Sequence, residues 1–143
     1  MTVHAVVIYE SLTGNTAKAG RAIAAQLTAA GLPTEAYPVT NIDYQALSKA
    51  DLVIVGSWVD GLIFVGQRPG RMGRITGMPA LAGKKAVVYL TYAIDAGKAL
   101  QKMSDAVASR GAEVLGGVRI RRDRLDEGVQ DLVDRVLAIT ADA

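Results

Sequence analysis

The sequence predicts an α/β fold, a doubly wound sheet of five parallel strands with helices on both faces. Two observations predict it. Five short runs rich in apolar and β-branched residues recur along the chain, and helical spacing or a turn separates each from the next. Strands that alternate with helices pair in parallel through right-handed crossovers, which distributes the helices over both faces of the sheet.

The elements follow in order. Val3 to Tyr9 reads as a buried strand, and Asn15 to Ala30, with Ala19, Ile23 and Leu27 on one face, as a helix ended by Gly31. Thr34 to Val39 reads as a short strand whose Pro38 assigns it to a sheet edge. Tyr44 to Lys49 is a short helix, and Asp51 to Gly56, "DLVIVG", a strand buried on both faces. A glycine-rich segment from Ser57 to Gly83 follows, with one helical turn expected around Arg71 to Ile75. Lys85 to Thr91 is the fourth strand. Asp95 to Arg110 is a helix with Leu100, Met103 and Val107 inward, and Glu113 to Ile120 is the fifth strand. Leu125 to Ile139 closes the chain as a helix with Val129, Leu132, Val133 and Val136 on one stripe. Residues 1–143 are expected to form one domain, long enough to bury a core.

Composition removes several function classes. Half the residues are apolar and 21% are charged, a globular rather than a disordered balance. The absence of cysteine excludes disulfides, thiolate metal sites and thiol nucleophiles. His4 is the sole histidine, so histidine-based triads and multi-histidine metal sites are excluded as well. No apolar stretch approaches the roughly 18 to 20 residues of a membrane span, and the N-terminus lacks a signal-peptide layout. The expectation is a soluble cytoplasmic protein. A net charge of +2 is too small to argue for nucleic acid.

In a doubly wound sheet, ligands bind outside the carboxyl ends of the strands, where the winding reverses. Three segments should meet there: Ser11 to Thr16, Ser57 to Gly61 and Thr91 to Asp95. The first, "SLTGNT", joins a strand directly to a helix N-terminus, whose unpaired amides and positive macrodipole end attract phosphate. Gly14 permits close backbone approach, and Ser11, Thr13, Asn15 and Thr16 supply side-chain donors. Capping a helix requires only one such residue, whereas this loop holds several. It carries no lysine and lacks Walker spacing, which argues against nucleotide triphosphate hydrolysis. A response-regulator receiver shares the architecture but needs an acidic cluster after the first strand and an aspartate after the third; Glu10 and Gly56-Ser57 do not supply them.

On these residues the chain resembles the flavodoxin family. The family's phosphate loop, a hydroxyl residue, any residue, then Thr-Gly-Asn-Thr, stands intact as Ser11-Leu12-Thr13-Gly14-Asn15-Thr16. The resemblance implies a flavodoxin-like, short-chain sheet in the order 2-1-3-4-5. It implies FMN as cofactor, its phosphate on Ser11, Thr13, Asn15 and Thr16 and its ring between the loops after the third and fourth strands. It also implies one-electron chemistry carried by the cofactor, with the protein tuning the potentials.

Trp58, in "VGSWVDG", matches the aromatic residue that family members often stack on the flavin after the third strand; packing as a cap on the core is the other reading. The next family position is commonly a glycine whose peptide flips toward the reduced flavin N5, and here it is Val59, followed by Asp60 and Gly61. The third loop departs further. Thr91, Tyr92 and Ala93 occupy it, and Tyr92 either contacts the flavin or packs below the ring. Strand alternation points Tyr89 into the core.

Flavodoxins generally carry an acidic rim around the flavin. Here no Asp or Glu lies between Gly61 and Ile94, whereas Arg68, Arg71, Arg74, Lys84 and Lys85 do, and Arg119, Arg121, Arg122 and Arg124 cluster near the end of the fifth strand. A basic rim would steer acidic partners; a solvated loop with dispersed arginines is the alternative. "GLIFVGQ", Gly61 to Gln67, places apolar residues in a loop near solvent, to be buried by an extra edge strand, a lid or an interface. The expected function is an FMN-dependent electron carrier that meets a redox partner protein. Two alternatives stay open. One is an FMN-dependent oxidoreductase of the same fold acting on an anionic or quinone-like substrate, as quinone reductases or protoporphyrinogen oxidases do; the other is a flavin-free interaction domain.

Overall fold

The computed structural model describes residues 3–11, 14–60, 68–69, 77–93 and 96–141. Its centre is five parallel strands: β1 (Ala5–Tyr9), β2 (Thr34–Pro38), β3 (Leu52–Asp60), β5 (Lys85–Tyr92) and β6 (Glu113–Arg121). They run in the order β2-β1-β3-β5-β6, which is 2-1-3-4-5 when the parallel strands alone are counted. A two-residue strand, β4 (Arg68–Pro69), pairs antiparallel with the end of β3.

Helices α1 (Asn15–Ala29) and α4 (Leu125–Ala141) cover one face, and α2 (Tyr44–Lys49) and α3 (Ala99–Ala108) the other. The two cores follow from strand alternation. Val6, Ile8, Val53, Val55, Val88 and Leu90 face α2 and α3, where Leu47, Met103 and Val107 meet them. Ala5, Val7, Ile54, Val87 and Tyr89 face α1 and α4, packing on Ile23, Leu27, Leu132 and Val136. Pro38 ends β2 at the sheet edge, where its missing N–H interrupts no interior ladder. Gly31, at φ 95°, ends α1 in the left-handed conformation that glycine adopts without penalty.

Two boundaries depart most from the sequence expectation. The third strand does not stop at Gly56 but runs on to Asp60, because Ser57 and Trp58 pair with Leu90 and Thr91 of β5 and Val59 and Asp60 pair with β4. Helix α3 starts at Ala99 rather than Asp95, because Gly97 lies at φ 53° just before it and breaks helical geometry. Leu100 is half-buried on that helix, whereas Met103 and Val107 are fully inward. The expected turn at Arg71 to Ile75 and the apolar run Leu62 to Val65 lie outside the described residues.

Candidate functional site

At the carboxyl edge of the sheet, β1 ends at Tyr9, Glu10 and Ser11 follow it, and α1 starts at Asn15 directly after Gly14. Gly14 is the residue before the helix, at φ 97° and ψ −15°. A Cβ at Gly14 would meet no atom of the described residues within 4 Å, so the requirement for glycine there is conformational. Its N–H donates to Ser11 Oγ at 3.1 Å. That leaves the Ser11 hydroxyl proton for another acceptor.

The start of α1 carries no side-chain cap and no acidic residue in its first turn. Helical geometry leaves the amides of Asn15, Thr16 and Ala17 without intrahelical acceptors, and the macrodipole places partial positive charge on them. Asn15 is half-buried and Thr16 is buried. Thr16 Oγ1 lies 2.7 Å from Thr91 Oγ1, tying α1 to the end of β5. One of these hydroxyls donates to the other, so one proton of the pair remains to be given elsewhere. From the same strand, Tyr89 donates its hydroxyl to the Thr16 carbonyl at 2.9 Å.

The second segment stands beside the first. Trp58 is directly opposite Thr91 in the ladder, on the sheet face that carries α1, and is partly exposed. It belongs to the strand rather than to a loop after it. Ser57 points to the opposite face and is fully buried, so its hydroxyl does not line the open edge. Val59 is half-buried against the core under α2 and α3, in extended pairing with Pro69. Of the third segment, Tyr92 is half-buried and Ala93 exposed. Leu12, Thr13, Gly61 and Asp95 lie outside the described residues, as does the Asp60 side chain. The described parts of all three segments therefore converge on one edge, as expected.

The cations divide differently from the sequence expectation. Lys84 and Lys85 stand at the amino end of β5, the far end of the sheet from this edge, and Lys84 Nζ donates to the Ala50 carbonyl at 2.7 Å. They do not belong to a rim around the ligand edge. Arg121, next to Tyr92 in the ladder, pairs with Asp123 at 3.1 Å, which compensates its charge locally. Arg68 lies in β4, across from Asp60, and Arg71 and Arg74 are outside the described residues.

Two buried groups here carried no sequence assignment to the site. Glu10 is 3% exposed at the end of β1, its N–H donating to the Gly56 carbonyl. Tyr89 reads from strand alternation as core, and it is core; its hydroxyl also reaches α1. The signal for that contact was a pair of glycines, Gly20 and Gly56, at the positions its ring occupies.

A family model described as a flavodoxin domain matches residues 6–136. The chain belongs to the flavodoxin family. Membership implies FMN as cofactor and electron transfer to a redox partner protein as the activity. Among curated proteins, none matches the sequence. Solved structures show the same fold. The two-electron reduced flavodoxin of Megasphaera elsdenii is 18% identical, with a TM-score of 0.69 over 90% of this chain and 95% of that one. A Streptococcus pneumoniae flavodoxin is 22% identical, with a TM-score of 0.66 over 93% and 99%. The flavodiiron core of Flv1 from Synechocystis is 18% identical, with a TM-score of 0.70, and covers 99% of this chain but only 37% of its own. No helix among the described residues is long and apolar enough to cross a membrane.

The residues at this edge fit FMN. An uncapped, acid-free helix start with a glycine at positive φ and a free hydroxyl proton on Ser11 suits a phosphate dianion, and a partly exposed tryptophan stands beside it.

Proposed function

We propose that this protein is an FMN-dependent electron carrier that holds the FMN phosphate on Ser11, Thr13, Asn15 and Thr16 and on the backbone of Leu12 and Gly14. Trp58, Val59, Asp60 and Gly61, with Thr91, Tyr92 and Ala93, would hold the FMN ring. When bound, FMN supplies the one-electron chemistry. The protein's own groups bind and orient it. The observation that carries the reading is the left-handed Gly14 set before an uncapped helix start.

Each group has a physical task. The first-turn amides face the phosphate along the helix dipole and need no reorganisation to do so. Ser11 holds the loop by accepting the Gly14 N–H and gives its own proton outward. Thr16 has the same capacity when Thr91 donates to it. For Ser57, burial leaves the backbone rather than the hydroxyl to face the ring.

The partner is acidic. Arg68, Arg71 and Arg74 follow the third-strand segment with no carboxylate between Gly61 and Ile94, and Arg119, Arg122 and Arg124 add charge beside the end of β6. Such a field raises the encounter rate with acidic surfaces.

The direct test is the purified protein's visible absorbance, followed by release and chromatographic identification of the bound flavin. Near-stoichiometric FMN is expected. A colourless protein that takes up no added FMN would overturn the reading.

A further inference from the structure

We infer that the Tyr89 hydroxyl is a positioning group for the phosphate site, clamping the first turn of α1 from inside the core through the Thr16 carbonyl. This inference rests on the proposed FMN reading and adds to it a residue that never touches the cofactor.

Tyr89 is fully buried, in the middle of β5 and on the face that carries α1. Its ring lies over Gly56 of β3, where a Cβ would come within 1.9 Å of Tyr89 Cζ. Its hydroxyl lies against Gly20 of α1, where a Cβ would be 2.8 Å away. Two glycines on two different elements thus make room for one phenol. The ring is fully buried, and its hydroxyl reaches Thr16 O at 2.9 Å.

The consequence follows from peptide planarity. The Thr16 carbonyl and the Ala17 N–H belong to one rigid unit and point in opposite directions along the helix. Fixing the oxygen from within the core therefore fixes the direction of an amide at the open helix start. Thr91, two residues on along the same strand face, holds the Thr16 side chain at the same time. Strand β5 thus grips both the backbone and the side chain of the last residue of the phosphate loop. Phenylalanine would fill the same volume, so what the hydroxyl adds is the hydrogen bond to the first turn of α1.

The test compares flavin-free wild-type protein with Tyr89→Phe, which keeps the ring and removes the clamp. Dissociation constants for FMN and riboflavin are measured by fluorescence quenching. Loss of one buried neutral hydrogen bond predicts FMN binding weaker by roughly fivefold to tenfold with riboflavin binding unchanged. Amide exchange supplies a readout that needs no flavin. The Gly20 N–H, bonded by helix geometry to the same Thr16 carbonyl, should exchange faster in the variant, while that of Leu27 in the next turns should not. Equal losses for both flavins, or no loss for either, would overturn the clamp. Wild-type protein that binds the two flavins alike would instead remove the underlying phosphate reading, and the clamp with it. If Tyr89→Phe does not fold, NMR of the flavin-free wild-type protein decides: a slowly exchanging Tyr89 hydroxyl proton with a cross-peak to the Ala17 or Gly20 amide proton is expected, and a phenol proton in fast exchange with water would overturn the inference.

Discussion

Single residues here are constrained by what faces them across the sheet. Gly56 has no room for a side chain, because Tyr89 occupies that volume. Gly56→Ala must therefore displace a buried aromatic ring, and overpacking of this kind costs about 1 to 3 kcal/mol or more. The expected result is a lower urea midpoint with an unchanged slope. Tyr89 also sets an alkaline limit. Burial pushes its phenol above the ordinary value of 10.0, so the native state retains a proton that the unfolded chain loses above about pH 10. Stability is then full below that pH and falls as pH rises beyond it. Tyr37, half-buried and pushed up to about 12 chiefly by its hydrogen bond to Glu35, contributes in the same direction. Unfolding free energies measured across the alkaline range should show a shallower decline in Tyr89→Phe than in wild type. At this scale the sequence was only partly legible. The "SLTGNT" loop announced itself through residue type and spacing, whereas the contact between Tyr89 and Thr16 spans 73 positions and leaves no local pattern.

At the scale of elements, the strands and helices were legible wherever a period could be read. Strands β1, β2, β5 and β6 lie close to their expected limits, because runs such as Ala86 to Leu90 are buried on both faces and α2 is held by the Asp43 cap on Gln45 and Ala46. The extension of β3 was not legible. Gly56 and Ser57 resemble a strand end, and the partner that prolongs the strand, β4, is two residues long and has no periodicity. That extension has a functional consequence. Val59 sits in extended pairing with Pro69, and a peptide flip there would break the pairing and drive a β-branched residue toward positive φ, at about 1 to 2 kcal/mol. Val59→Gly lowers that cost. Potentiometric titration of the FMN-loaded proteins should find the two one-electron potentials further apart in the variant. An unchanged separation would show that this peptide makes no contact that depends on the redox state.

For the whole molecule, charge is distributed rather than summed. The net charge of +2 conceals a sheet whose far end holds Lys84 and Lys85 and whose ligand edge is followed in sequence by arginines with no carboxylate among them. Electron exchange with an acidic donor should slow as ionic strength rises, since the Debye length falls from about 30 Å at 0.01 M to about 8 Å at 0.15 M. Stopped-flow reduction across a salt series, with an acidic and a basic donor, measures this. Reversing the charges of Arg68, Arg71 and Arg74 should slow the acidic donor at low salt and leave FMN affinity nearly unchanged. The parallel order of the sheet was legible because alternation of strands and helices permits few topologies, and the candidate site is placed by that order. Which cations reach the ligand edge was not, because linear clustering ignores which end of a strand a residue occupies. The central claim, that the loop before α1 recognises phosphate, has a more direct test in isothermal titration of the flavin-free protein with FMN and with riboflavin. FMN should bind far more tightly, and Asn15→Ala should narrow the gap by about 1 to 3 kcal/mol through the FMN value alone. Equal affinities for the two flavins in the wild-type protein would contradict the account.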